Sequence, residues 1–124
     1  NIAPVPIEQA IESACMGQVV LIGDERPYIV ALIAPDEDRL TARAQSEEWD
    51  GSLADWVQRP EVHAEADEAI AQTNQGLARF ETIKRWVMLP EPLTEENGLL
   101  TPTLKRKRGV IAQRYQANID ALYA

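Results

Sequence analysis

Gln18-Val19-Val20-Leu21-Ile22-Gly23-Asp24-Glu25-Arg26-Pro27-Tyr28-Ile29-Val30-Ala31-Leu32-Ile33-Ala34-Pro35 carries the strongest structural signal in the chain. Two apolar, β-prone runs, Gln18 to Gly23 and Tyr28 to Ala34, flank the turn-like Asp24-Glu25-Arg26-Pro27. That pattern predicts a β-hairpin. Neither run alternates apolar with polar, so both strands are expected to be buried, with a helix layer on at least one face.

Upstream, Pro4 and Pro6 bracket an extended start, and Ile7, Ala10, Ile11 and Ala14 then form a helical stripe. Pro6 suits the first helical position, Glu8 the positive end of the dipole, and Gly17 the stop. Downstream, Asp36 is expected to cap a helix over 36–45 with Leu40 and Ala44 inward. Ser52 caps a short helix holding Leu53, Trp56 and Val57. After Arg59-Pro60 a helical period runs from Glu61 to Phe80, with Leu77 and Phe80 on the inner face and a kink at Gly76. Ile83 to Leu89 reads as a third strand, ended by Pro90. Asn97-Gly98, between Leu93-Thr94 and Leu99-Leu100-Thr101, reads as a second, small hairpin. A last helix starts at Arg106, with Val110, Ile111, Tyr115, Ile119 and Leu122 inward. The class is α+β: a small mixed or antiparallel sheet of about three strands plus a short hairpin, packed with helices.

The 124 residues fit one domain, residues 1–124, and an apolar share of 45% is enough for a core without staples. One cysteine, Cys15, excludes an internal disulfide framework and a multi-Cys zinc site, and the single His63 argues against a His-rich metal centre. Cys15 reads as a small core residue, His63 as a surface histidine on an acidic helix, and Trp56 and Trp86 as core or edge residues. No apolar run approaches a membrane span, and no signal peptide opens the chain. The first residue is Asn, so the chain is expected to be a piece of something longer.

Charge is uneven. Net charge is −8, and residues 36–71 alone hold 11 acidic and three basic side chains. Such an acidic body argues against nucleic-acid binding, which needs a broad positive field. Against it stands the run Lys105-Arg106-Lys107-Arg108. The run is either a solvated helix start or a local anion contact. Lys105 follows a turn and a proline-stiffened segment that can carry its ammonium clear of the domain. A compact, mobile cation there suits phosphate or carboxylate oxygens, and Thr101 and Thr103 can add hydroxyls.

The segment Asn97-Gly98-Leu99-Leu100-Thr101-Pro102-Thr103-Leu104-Lys105-Arg106-Lys107-Arg108 resembles the C-terminal lysine motif of long-chain fatty-acyl-CoA synthetases, AMP-forming ligases of the adenylate-forming superfamily. Asn1-Ile2-Ala3-Pro4-Val5-Pro6-Ile7-Glu8 resembles the segment just after their hinge. Val19-Leu21-Ile22-Gly23-Asp24, Arg26-Pro27-Tyr28 and Ala31-Leu32-Ile33 are similar to their first strand pair. Phe80-Glu81-Ile83-Lys84-Arg85-Trp86 is similar to the approach to the next strand, and Tyr115, Ile119 and Ala121-Leu122-Tyr123 to the last helix. The wording Leu-Thr-Pro-Thr-Leu-Lys, rather than Ser-Gly-Lys, favours the fatty-acyl branch.

The resemblance implies a mobile lid on an N-terminal body that binds ATP, Mg2+ and the fatty acid. Lys105 would bridge acyl carboxylate and phosphate oxygens as the acyl-adenylate forms. Thr101, Thr103, Arg106, Lys107 and Arg108 are further candidates for substrate or phosphate contact. The lid would then rotate, and a face near the opening segment and first hairpin would shape the path of the CoA thiol. The resemblance further implies a cytoplasmic enzyme whose membrane contact, if any, falls to the body. The isolated chain is expected to be inactive. Two other readings remain: the lid of an adenylate-forming enzyme with a different acceptor, and a non-catalytic α+β binding module.

Overall fold

The computed structural model describes residues 3–124. Asn1 and Ile2 of the opening segment lie outside the described residues. In chain order the elements are α1 (Pro4–Glu12), β1 (Gly17–Ile22), β2 (Ile29–Pro35), α2 (Glu37–Glu47), α3 (Leu53–Trp56), α4 (Pro60–Gln75), β3 (Ile83–Met88), α5 (Arg108–Arg114) and α6 (Gln116–Tyr123). A 3-10 turn, Arg79–Glu81, precedes β3.

The predicted hairpin forms. β1 pairs antiparallel with β2, from Gly17 opposite Pro35 to Ile22 opposite Val30. β3 pairs parallel with the other edge of β2, with a register shift between Ile29 and Val30. The sheet is therefore mixed, in the order β1-β2-β3. A parallel neighbour needs a long crossover, and residues 36–82, carrying α2, α3 and α4, supply it.

All seven residues of β2 are buried. Strand residues alternate between faces. Val19, Leu21, Ala31 and Ile33 meet Ile7 and Ile11 of α1 and Ala66 and Ile70 of α4. On the opposite face Val20, Leu32 and Ala34 meet Leu89, Leu93, Leu99, Ile111, Tyr115 and Ile119. With both faces covered, neither strand needs a polar side, which explains the unbroken apolar runs.

Several local expectations shift. Pro4 and Pro6 both lie inside the first turn of α1, whose N-cap is Ala3. The first N–H groups of a helix lack intrahelical partners, so a proline there forfeits none. Gly17 opens β1 instead of ending the helix. A Cβ on Gly17 would lie 2.5 Å from Ile33 Cγ2 and 2.6 Å from the Ala34 carbonyl oxygen. Gly17→Ala is expected to destabilise the domain by about 2 kcal/mol through overpacking, read as a lower urea midpoint.

Asp36 caps α2 as expected, its Oδ1 accepting from the Arg39 N–H at 3.1 Å. Ser52 precedes α3, and the Asp55 carboxylate accepts from its N–H and hydroxyl. α4 stops at Gly76 rather than kinking. Phe80 consequently falls in the 3-10 turn and is 74% exposed, not inward. Val110 is also exposed, while Ile111, Tyr115 and Ile119 are buried.

The last helix is two helices, broken at Tyr115. Tyr115 Oη donates to Glu91 Oε1 at 2.7 Å. Burial first, and that carboxylate second, push its phenol well above the usual value of 10. The folded chain holds this proton to higher pH than the unfolded chain does. Its stabilising share is therefore complete below about pH 10 and is lost as pH rises beyond it. Urea unfolding at about pH 8 and about pH 11 should show the loss, and Tyr115→Phe should reduce it.

Candidate functional site

The basic run is presented by a loop and a hairpin after β3. Asn97 organises the loop: its Oδ1 accepts from the N–H groups of Thr94 and Leu99, both at 3.2 Å. Its Nδ2 donates to the Pro92 carbonyl at 2.7 Å. The Thr94 carbonyl accepts from Leu99 at 3.1 Å and Leu100 at 3.0 Å. Asn97-Gly98 is therefore a side-chain-braced turn, not the tip of a hairpin. Gly98 sits there at a φ of +81°, where only glycine is unstrained.

The short hairpin is present a few residues later. Leu100 bridges Arg106 in antiparallel fashion. Pro102 occupies the second position of a turn closed by the Leu104 N–H on the Thr101 carbonyl at 2.8 Å. Leu104 follows in the left-handed region at a φ of +64°. A turn followed by one left-handed residue is a common three-residue hairpin connection.

Lys105 lies on the returning arm. Its carbonyl accepts from Thr101 N–H at 2.8 Å, and its N–H donates to Thr101 Oγ1 at 3.0 Å. Its backbone is thus tied while its side chain is exposed. Thr101 Oγ1 also lies 3.2 Å from Thr103 Oγ1. Both hydroxyls are engaged within the turn, so their placement is structural.

The four basic residues alternate. Lys105 and Lys107 are exposed and form no ion pair among the described residues, whereas Arg106 and Arg108 turn inward. Arg108 grips Glu8 with both amino groups, at 2.8 and 2.6 Å. Arg106 lies 3.2 Å from the same carboxylate and also donates to Glu12 and to the Val19 carbonyl. Glu8 is only 1% exposed, the one buried charged residue among those described. It holds the Arg108 guanidinium in its charged form, above its ordinary pKa.

Glu8 and Glu12 have a second role. Glu8 Oε2 accepts from the Leu21 N–H at 2.8 Å, and Glu12 Oε2 from the Val19 N–H at 2.7 Å. These N–H groups lie on the edge of β1 that no strand covers. Four helical residues rise about 6 Å and two strand residues about 6.6 Å. The two carboxylates of α1 therefore match alternate N–H groups of β1 and close the edge in place of a fourth strand. The sequence reading placed Glu8 at the helix dipole and missed this. The available signals were the acidic pair four residues apart beside Ile7 and Ile11, and the alternation within the basic run.

The remaining candidates are structural. Cys15 is 1% exposed, and burial pushes its thiol up, away from the reactive thiolate. His63 is half-buried rather than on the surface. Its Nε2 donates to the Val57 carbonyl at 2.8 Å, and its ring lies 5.4 Å from that of Trp86. Trp86 Nε1 donates to Asp67 and Trp56 Nε1 to the Asp50 carbonyl. Among the described residues no three His, Cys, Asp or Glu side chains form a metal cluster, and no helix is long and apolar enough to cross a membrane. An open groove of about 760 Å³ lies between Pro4, the β1–β2 turn, Arg108 and Ala112.

The AMP-binding enzyme C-terminal domain family matches residues 1–124. Long-chain-fatty-acid–CoA ligase FadD15 of Mycobacterium tuberculosis is 35% identical over 126 residues, covering 99% of this chain and 21% of the ligase. Human long-chain-fatty-acid–CoA ligase 1 is 32% identical over 127 residues, covering 99% of this chain and 18% of the ligase. The chain thus spans about a fifth of the length of these curated relatives. Among solved structures, the adenylation domain of a carboxylate reductase from Mycobacterium chelonae superposes with a TM-score of 0.70 at 23% identity, covering 98% of this chain and 18% of that one. The A-PCP didomain of the Segniliparus rugosus carboxylic acid reductase, in complex with AMP, gives 0.69 at 24%, covering 98% and 16%. The fold is shared with these adenylation domains, the sequence with the ligases, and the chain belongs to the C-terminal domain family of AMP-binding enzymes.

Proposed function

We propose that this chain is the mobile lid of an AMP-forming long-chain fatty-acid–CoA ligase, and that Lys105 is its catalytic residue. The observation that carries the reading is the presentation of Lys105 described above: backbone tied at both ends, side chain exposed and without an ion pair among the described residues. Joining a carboxylate to the α-phosphate of ATP brings two anions together and expels pyrophosphate. A cation with three N–H donors and no acceptor lowers the repulsion and stabilises charge on the transferring oxygens. An ammonium on a fixed turn does so without reorganising.

Arg106 and Arg108 are engaged with carboxylates of α1, so oxygen contact falls first to Lys105 and then to Lys107. Thr101 and Thr103 stiffen the turn and stand close enough to add hydroxyl contacts. ATP, Mg2+ and the acyl chain would be held by a body outside residues 1–124. CoA would enter after the lid rotates, along the face that holds the groove beside Pro4 and the β1–β2 turn.

The full-length protein is expected to catalyse ATP–pyrophosphate exchange that depends on a long-chain fatty acid, and isolated residues 1–124 to catalyse none. Exchange by the isolated chain overturns the lid. Exchange in the full-length protein that responds to another class of acid but not to fatty acids overturns the acyl branch.

A further inference from the structure

We propose that Glu8 is a positioning residue for Lys105: its buried carboxylate, gripped by Arg106 and Arg108, sets the attitude of the Leu100–Arg106 hairpin against α1 and so fixes where the ammonium is presented. This rests on the reading of Lys105 given above.

A hairpin this short does not hold its own orientation in water. Its root is anchored by buried Leu99 and Leu100 and by the Lys107 N–H on the Leu99 carbonyl at 2.9 Å. None of those contacts involves α1. The residues one and three places after Lys105 supply the missing direction, since both guanidinium groups converge on one carboxylate. Arg106 reaches further, to Glu12 and to the β1 backbone. A helix, an edge strand and the hairpin therefore meet at one rigid fork. An apolar plug of equal volume would fill that space without the cost of desolvating a charge, but without direction. Planar, two-pronged pairing fixes angle as well as distance.

The test is a cycle in the full-length protein: wild type, Glu8→Gln, Lys105→Ala and the double variant, each assayed for fatty-acid-dependent ATP–pyrophosphate exchange. Glu8→Gln keeps an acceptor oxygen and the side-chain volume. It should lower kcat by about 10- to 100-fold, the scale of a small displacement of a catalytic group. KM for ATP and for fatty acid should stay within about twofold, because binding is shared by the rest of the site. In the Lys105→Ala background the same change should have no further effect, because the group it positions is gone.

Equal multiplicative losses in both backgrounds would show that Glu8 serves stability alone and would overturn the proposal while the role of Lys105 stands. Unchanged exchange in Glu8→Gln would overturn it as well. Unchanged exchange in Lys105→Ala would instead remove the reading on which it rests. Should Glu8→Gln lose its fold by circular dichroism, Arg106→Gln runs the same cycle with the Glu8–Arg108 pair left in place. Non-additivity supports the proposal there, and additivity ends it.

Discussion

Lys105→Ala in the full-length protein is expected to lower acyl-adenylate formation by about 100- to 1,000-fold, the usual loss when one preorganised donor to developing negative charge is removed. The domain should remain folded, since the Lys105 side chain is exposed and forms no ion pair among the described residues. The backbone bonds that shape the turn survive the change, because they involve only the main chain of residue 105 and Thr101. Thioester formation from preformed acyl-adenylate should fall far less, because pyrophosphate has already left. Separate assays of the two half-reactions check this. Equal losses in both would make Lys105 a structural residue. Lys105→Arg keeps the charge but is expected not to restore activity in full, because a planar fork does not reproduce a compact ammonium.

Glu8→Ala is expected to destabilise the domain by about 3 kcal/mol, near the lower end for breaking a buried ion pair. Truncation leaves the Leu21 N–H without its acceptor and takes a partner from both Arg106 and Arg108. Arg108 is 39% exposed and regains water, which holds the figure down. For a chain of this size such a loss corresponds to a fall in Tm of about 10 °C. Thermal unfolding followed by circular dichroism measures it. Glu12→Ala should cost less, because Glu12 is 19% exposed and water reaches the groups it leaves.

Local chemistry accounts for what could be read in the sequence. The β1–β2 hairpin, β3, the Asp36 cap and the buried stripe of Ile111, Tyr115 and Ile119 are written in neighbouring residues, and all of them form. The exposed setting of Lys105 was legible for the same reason, since its turn and its proline are contiguous with it, whereas its proposed role came from the resemblance and not from local chemistry. Asn97-Gly98 misled because Asn97 has a side chain as well as a backbone preference. Here the side chain binds three main-chain groups and makes a compact loop. Phe80 and Val110 misled because a helical period was extended past the points where the backbone leaves it. The Glu8 cluster lay furthest from view. Its partners are separated by roughly a hundred positions, and spacing along the chain carries no trace of a contact between its two ends.

That long separation has a consequence during synthesis. Glu8 and its neighbouring apolar residues emerge about a hundred positions before Arg108, with Arg106 only just ahead of it. Until then any compact intermediate must either hydrate the carboxylate or leave α1 undocked. Products shortened by stalling or nicking before Arg106 therefore carry a built-in mark of incompleteness, and quality-control proteases should clear them faster than the finished domain.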